Sequence, residues 1–268
     1  MAASPPFPPV RPETLLYLRK AEDMDHRIEV IFIDVGNTLR VTHPDEAYQA
    51  RARERITALV GATAPPAAFC ALLDERYKAY RKWAFETLSE ATECELWTKW
   101  LLPDHPYDQV APRAGELTYA YRQTMGRREA RPEARAVVEG LIARGYRLGI
   151  LSNTITEREI PNWLEDDGLG QHFSPVVLSA VIGLRKPGAD IYQYAAREAG
   201  VAPQCCAYVG DNPIRDVEGA RKAGWGAVVL LLEPEDYDVA RQAPYPPDAV
   251  IRNFSELLDL FPLRRGDG

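Results

Sequence analysis

The chain has 268 residues, enough for one large domain or two small ones, and its 46% hydrophobic and 26% charged residues are ordinary for a soluble globular protein. Its net charge of −7 argues against a nucleic-acid binder, and no apolar run is long enough to span a membrane. The four cysteines have neither metal-site nor disulfide spacing. We therefore predict a cytoplasmic protein with no nucleic-acid or membrane partner.

The N-terminal residues are rich in proline and lack the apolar core of a signal peptide, so residues 1–25 are predicted to form an extension. The stretch "EVIFIDVGNTLR", residues 29–40, begins with apolar residues on both faces, which predicts a buried strand. This strand ends at Asp34, and the turn signal Gly36-Asn37-Thr38 follows. A single carboxylate therefore comes directly after an apolar strand.

The character of the chain changes between residue 44 and about residue 131. Four stretches there place apolar residues at helical spacing with charged residues between them, and prolines separate the stretches. We predict no strand in this segment. It indicates an all-helical domain at residues 43–130, inserted into an α/β domain made of residues 26–42 and 131–268.

From Pro132 onward, strand patterns alternate with helix patterns. The predicted strands include "YRLGIL", "SPVVLSAV", "CAYVG" and "GAVVLLL". This alternation predicts the α/β class, with a Rossmann-like, mostly parallel sheet and helices on both faces. Ligands bind beyond the carboxyl ends of the strands in such sheets, and the insertion leaves the sheet at the end of the first strand. We therefore expect the helical insertion to act as a lid or substrate-selecting cap.

Polar side chains follow several of the predicted strands. Asp34 follows "EVIFI", Ser152 and Asn153 follow "YRLGIL", and Asp211 follows "CAYVG". Lys186 comes after "SPVVLSAVIGLR". An aspartate after a strand is by itself often only a turn residue. Because the carboxyl ends of parallel strands share one edge of the sheet, however, these groups are expected to converge.

The residue types at this edge suit phosphoryl transfer. Asp34, Asp211 and Asp216 form an oxygen-rich group of the kind that binds Mg²⁺. Ser152 and the asparagine after it offer donors to a phosphoryl oxygen, and Lys186 offers a positive charge to the same oxygens. A carboxylate beside such cations stays ionised and is a competent nucleophile toward phosphorus. The sequence thus predicts an aspartyl phosphate that water hydrolyses.

Four stretches together resemble the motifs of the haloacid dehalogenase (HAD) superfamily, in the branch with a helical cap inserted after the first strand. These stretches are "DVGNTL", "ILSNT", "RKP" and "GDNPIRD". Their order and rough spacing also agree, and the resemblance covers about residues 28–262. It implies a hydrolase, since most members are phosphatases acting on small phosphorylated metabolites.

The resemblance also implies roles for individual residues. Asp34 would be the nucleophile, and Lys186 the second catalytic residue. The implied metal site consists of Asp34, the backbone carbonyl of Gly36, Asp211 and Asp216, the last as a ligand or as a support for the ligands. The residues implied to position the phosphoryl group are Thr38, Ser152, Asn153 and Lys186.

Gly36 departs from the pattern of the family. The phosphatases normally have a second aspartate there, which protonates the leaving oxygen and later activates water. Glycine has no side chain, so a contribution of typically about 10²–10⁴-fold is missing. Three explanations are open: a substrate with a good leaving group, such as an acyl or aryl phosphate; a proton supplied by another residue; or a weak enzyme or pure binding module. The candidate donors are His43, Glu90, Glu93 and Glu95.

The resulting prediction is a Mg²⁺-dependent phosphatase-like hydrolase of a small phosphorylated metabolite, a monomer or homodimer that is atypical at Gly36. One alternative is a non-catalytic HAD-fold protein that binds phosphate and metal. Another is a carbon–halogen hydrolase resembling the 2-haloacid dehalogenases, which also lack the second aspartate. The intact Asp211 and Asp216 favour phosphorus and Mg²⁺ over this last alternative.

Overall fold

The computed structural model describes residues 27–232 and 244–264, so the predicted extension at residues 1–25 lies outside the described residues. The strands are β1 (Val30–Ile33), β2 (Arg40–His43), β3 (Arg127–Ala130), β4 (Arg147–Ser152), β5 (Phe173–Leu178), β6 (Cys206–Gly210), β7 (Ala227–Leu231) and β8 (Ala249–Ile251). The α-helices of the described residues are α1 (Glu46–Leu59), α2 (Pro66–Thr87), α3 (Glu93–Glu95), α4 (Tyr107–Val110), α5 (Ala114–Gln123), α6 (Ala134–Ala143), α7 (Glu159–Asp166), α8 (Ser179–Ile182), α9 (Ala189–Ala199), α10 (Gly219–Lys222) and α11 (Leu257–Leu260). Two π-helical turns, Leu96–Leu101 and Pro213–Glu218, interrupt this series. None of these helices combines the length and the apolar character needed to cross a bilayer.

Six strands form a parallel sheet in the order β5-β4-β1-β6-β7-β8. β1 lies near the middle, and successive side chains of a strand point to opposite faces. Ile31 and Ile33 accordingly join the apolar cluster with α6 and α7, whereas Val30 and Phe32 join the cluster with α9 and α10. The predicted α/β class, a Rossmann-like parallel sheet covered on both faces, is confirmed.

The helical insertion, α1 to α5, has an apolar core of its own. Trp97, Tyr80 and Tyr121 are completely buried in it and pack against neighbouring aromatic rings. α1 begins after Asp45, whose side chain accepts a hydrogen bond from the Tyr48 amide, as an N-cap residue does. The helices predicted for this segment are therefore present.

A two-stranded antiparallel ribbon, β2 with β3, joins the insertion to the parallel sheet. The prediction of no strand between residues 44 and 131 was wrong for β3. Its sequence, Arg-Arg-Glu-Ala, contains no β-branched residue, and only its pairing with a strand far away in the sequence makes it extended. The division of the chain into two domains, with boundaries at residues 43 and 130, stays a prediction.

Candidate active site

The predicted strand-end residues meet at one edge of the sheet because β4, β1 and β6 are adjacent and parallel. Asp34 follows β1 and is 3% exposed. Its Oδ1 accepts hydrogen bonds from the Val35 amide and from Ser152 Oγ, each at 2.8 Å. These two donors fix the carboxylate, so its second oxygen, Oδ2, is the one directed at the cations described next.

Lys186 lies completely buried between two carboxylates. Its Nζ is 3.1 Å from Asp34 Oδ2 and 2.9 Å from Asp216 Oδ1, and it also donates to the hydroxyl of Tyr208. The amide of Asn153 exchanges two hydrogen bonds of 2.9 Å with the backbone of Lys186. Asn153 therefore holds the loop that carries Lys186, and both ends of its amide are used for that purpose.

The segment after β6 folds back over the strand end. Asn212 caps the π-helical turn Pro213–Glu218 by accepting from the Ile214 and Arg215 amides. The backbone amide of Asn212 in turn donates to Asp216 Oδ2 at 2.9 Å. This fold-back brings Asp216 beneath Asp211, two residues that the sequence places five positions apart.

Asp34, Asp211 and Asp216 form what we call the carboxylate triad, since one oxygen from each lies within 4.8 Å of the others. Mg²⁺ is a hard cation that takes oxygen ligands and is commonly bound by one or two carboxylates. An all-oxygen set at this spacing fits such an ion. The three carboxylates among the four residues predicted for the metal site are thus close neighbours.

Sequence reasoning missed Arg215, which contacts every member of the carboxylate triad. Its Nη2 is 3.0 Å from Asp211 Oδ1 and 3.4 Å from Asp34 Oδ2, and its Nε is 3.4 Å from Asp216 Oδ1. Arg215 stands four residues after Asp211, which is the spacing of an ion pair along a helix. This spacing is the one feature of the sequence from which the contact could have been predicted. The described site therefore sets two cations, Lys186 and Arg215, against three carboxylates.

Asn37 was also missed. Its φ of 56° lies in the left-handed region, which asparagine tolerates better than most residues, and its Nδ2 is 3.3 Å from Asp211 Oδ2. The turn after β1 thus supplies a donor to the carboxylate triad.

Two acids of the triad, Asp211 and Asp216, have pKa values shifted in opposite directions because their neighbours differ. Burial, together with the charges of Asp34 and Asp216, raises the pKa of Asp211 to about 6. Burial alone would also raise the pKa of Asp216, but Lys186 and Arg215 outweigh it and bring that pKa below its ordinary value. The negative charge of Asp211 is therefore less compensated by the protein than that of Asp216.

Thr38 and Gly36 complete the set of predicted site residues. Thr38 is completely buried, and its Oγ1 has no hydrogen-bond partner among the described residues. A β-carbon placed on Gly36 would meet no atom within 4 Å, so the space next to this glycine is open. No neighbouring described group occupies the position where a second aspartate would begin.

Glu90, one of the candidate proton donors, is engaged elsewhere. Its buried carboxylate accepts hydrogen bonds from the hydroxyls of Tyr80 and Ser179, the latter at 2.8 Å, and forms an ion pair with Arg185. Because Arg185 precedes Lys186, Glu90 ties the helical insertion to the loop that carries the buried lysine.

The other three candidate proton donors, Glu93, Glu95 and His43, lie in environments unlike the one around Asp34. Glu93 accepts from the Glu157 amide at 3.2 Å, and burial raises its pKa. Glu95 forms an exposed ion pair of 2.6 Å with Lys99. His43 is exposed at the end of β2. Among the described residues, none of the four has a hydrogen bond to Asp34.

A family profile described as haloacid dehalogenase-like hydrolase matches residues 28–224. The chain belongs to this family. The resemblance drawn from the four motifs is thereby confirmed, and the protein is a member of a hydrolase family.

Several named proteins are similar to this HAD-family chain. A phosphoserine phosphatase of Thermus thermophilus is 40% identical over 126 residues, which cover 46% of this chain and 50% of that enzyme. Haloacid dehalogenase-like hydrolase domain-containing protein 3 of Bos taurus is 29% identical over 88% of this chain and 95% of its own length. The crystal structure of a 2-haloacid dehalogenase from Pseudomonas syringae pv. tomato superposes with a TM-score of 0.64 at 21% identity, over 87% of this chain and 97% of that one. The similarity to the dehalogenase structure shows the fold. The similarity to the phosphoserine phosphatase shows that a phosphatase is among the relatives, although the match spans half of that enzyme.

Proposed function

We propose that this HAD-family protein is a Mg²⁺-dependent phosphatase that acts on a small phosphorylated metabolite through an aspartyl phosphate on Asp34. The observation that carries the proposal is the arrangement around this carboxylate. Asp34 is fixed by two donors on one oxygen, is 3.1 Å from the buried Lys186 ammonium on the other, and belongs to the carboxylate triad. The phosphatase relative supports the same reaction class.

The residues that would hold the metal are the carboxylate triad and the backbone carbonyl of Gly36. When bound there, Mg²⁺ would supply positive charge to the phosphoryl oxygens. Lys186 supplies a second positive charge from the protein side. Thr38 adds a buried hydroxyl that has no hydrogen-bond partner within the described part of the chain. Buried polar groups are rarely left without a partner, which suits an anionic group that accepts from this hydroxyl.

The reaction proceeds in two displacements at phosphorus. The Asp34 carboxylate attacks phosphorus, the bond from phosphorus to the ester oxygen breaks, and that oxygen leaves with the bonding pair as an alkoxide or carboxylate, which solvent water protonates as needed. Water then attacks the same phosphorus and gives up a proton to the solvent, the bond from phosphorus to Asp34 breaks, and inorganic phosphate leaves with the carboxylate restored. Ser152 and the Val35 amide keep one carboxylate oxygen in place throughout.

Gly36 restricts the substrate class. Without a carboxylic acid at that position, the departing oxygen must leave unprotonated or take its proton from water. General acid catalysis typically contributes about 10²–10⁴-fold, so alkyl phosphates are disfavoured relative to acyl and aryl phosphates. The preferred substrate is therefore a small metabolite with a good leaving group on phosphorus.

The test is hydrolysis of a panel of phosphate esters, including p-nitrophenyl phosphate and acetyl phosphate, in the presence of Mg²⁺. Asp34→Asn should lower turnover by at least about 10³-fold because it removes the nucleophile. Asp259→Asn, an exposed aspartate on α11, is the matched control and should keep full activity. Equal rates for the wild type and Asp34→Asn would eliminate the proposed mechanism.

The same assay separates the alternatives. Binding of Mg²⁺ and phosphate in calorimetry with no turnover of any ester would identify a non-catalytic binding protein. Release of halide from a 2-haloacid without added metal would identify a carbon–halogen hydrolase.

A further inference from the structure

We propose that Arg215 is a built-in competitor of the divalent cation, occupying the carboxylate triad in the metal-free protein and leaving it when the metal binds. This inference rests on the proposed metal site. It adds a determinant of metal affinity that lies within the chain itself.

Arg215 uses the oxygens that a metal would need. Its guanidinium contacts one oxygen of each triad member, at 3.0 Å for Asp211 and 3.4 Å for both Asp34 and Asp216. Those carboxylates are the same three whose oxygens lie within 4.8 Å of one another. A guanidinium and a divalent ion on one small set of oxygens would repel each other at short range, so binding of one opposes binding of the other.

The two cations of the site differ in their freedom to leave. Lys186 is completely buried and is also bonded to the Tyr208 hydroxyl. The Arg215 side chain is 32% exposed, and its side-chain hydrogen bonds within the described part of the chain all go to the carboxylate triad. Arg215 can therefore move outward without breaking any other such contact, whereas Lys186 is fixed.

The metal-free protein needs a cation at this position. Without Arg215, three neighbouring carboxylates would share the single charge of Lys186, and like charges at this separation disfavour one another. Arg215 thus stabilises the metal-free site and lowers the apparent affinity for Mg²⁺ by the same interaction.

The first experiment measures Mg²⁺ binding by calorimetry in phosphate-free buffer. Arg215→Gln should bind Mg²⁺ about tenfold or more tightly than the wild type, because the competing charge is removed. Lys222→Gln makes the same change in net charge at an exposed residue paired with Glu218, and its affinity should stay within about twofold of the wild type. Asp211→Asn should abolish binding.

The second experiment measures thermal unfolding with and without Mg²⁺. Without the ion, Arg215→Gln should melt below the wild type. On addition of Mg²⁺ it should gain more in melting temperature than the wild type does, because a ligand that binds only the folded state stabilises it by an amount that rises with the logarithm of its affinity. A merely structural arginine would lower both melting temperatures equally.

The outcomes distinguish the inference from the function on which it rests. Mg²⁺ binding that is unchanged or weaker in Arg215→Gln overturns the competition and leaves the metal site standing. Absence of Mg²⁺ binding in both proteins overturns the metal site and the competition together. If Arg215→Gln does not fold, Arg215→Met serves instead: it also removes the charge but keeps an unbranched side chain, and an affinity for Mg²⁺ no tighter than that of the wild type contradicts the competition.

Discussion

Replacing Gly36 with aspartate should restore the acid that this protein lacks. The structure leaves room for the change, since a β-carbon at Gly36 meets no atom within 4 Å. The new carboxyl group would follow Asp34 by two residues on the open turn. General acid–base catalysis is typically worth about 10²–10⁴-fold. We expect a gain at or below the lower end of this range, about 10–100-fold on alkyl phosphates, because the added charge joins three carboxylates that only two cations of the chain oppose.

The assay compares glycerol phosphate with acetyl phosphate in the presence of Mg²⁺. Acetyl phosphate has a leaving group that needs little protonation, so its turnover by Gly36→Asp should change by less than about threefold. Gly36→Asn is the matched control, being of the same size without a transferable proton, and it should not speed either substrate. Slower turnover of both substrates by Gly36→Asp, or equal gains in the aspartate and asparagine variants, would refute the reasoning.

Two further predictions concern buried ion pairs between the helical insertion or the ribbon and the parallel-sheet part. Glu159→Gln should lower the free energy of unfolding by about 2 kcal/mol, because Arg122 at 2.9 Å and Arg128 at 3.8 Å lose their counter-charge. Burial alone would raise the pKa of Glu159, but these arginines bring it below its ordinary value. In urea unfolding, the wild type should therefore be more stable than the variant at neutral pH, and the difference should shrink as the pH falls through that lowered pKa. A difference in stability that does not depend on pH would contradict this prediction. Glu90→Gln should lower the free energy of unfolding by about 3 kcal/mol in the same assay, because Arg185 loses its counter-charge. It should also lower turnover, since Glu90 holds Arg185 beside Lys186, and a variant with wild-type stability and turnover would contradict this prediction.

The convergence at the sheet edge could be predicted because it depends on a general property of parallel sheets. Asp34 and Asp211 each follow a strand, Ser152 is the last residue of β4, and adjacent parallel strands end side by side. The same rule predicted the α/β class, since alternating strands and helices leave few other arrangements. Local sequence was sufficient for these features.

Features that depend on contacts between distant residues could not be predicted. Beyond its spacing from Asp211, nothing in the local sequence distinguishes Arg215 from other arginines; it reaches the carboxylate triad because the turn that Asn212 caps folds back over the end of β6. The amide of Asn153 bonds to the backbone of Lys186, a partner that no local pattern identifies. β3 is extended only because β2 pairs with it. In each case the residue's position depends on a contact that neither hydrophobic periodicity nor a short motif of the sequence can identify.

Gly36 and Arg215 change the charge around Asp34 in the same direction. Glycine removes a carboxylate from the set that the family resemblance implies, and Arg215 adds a cation to the set found from the sequence. A less negative site would hold Mg²⁺ less tightly. If the protein is the phosphatase proposed above, turnover should then be slowest for substrates that need both a strongly bound metal ion and a proton donor. It should be least affected for substrates whose leaving group is already stable as an anion, so both residues favour the proposed acyl or aryl phosphates.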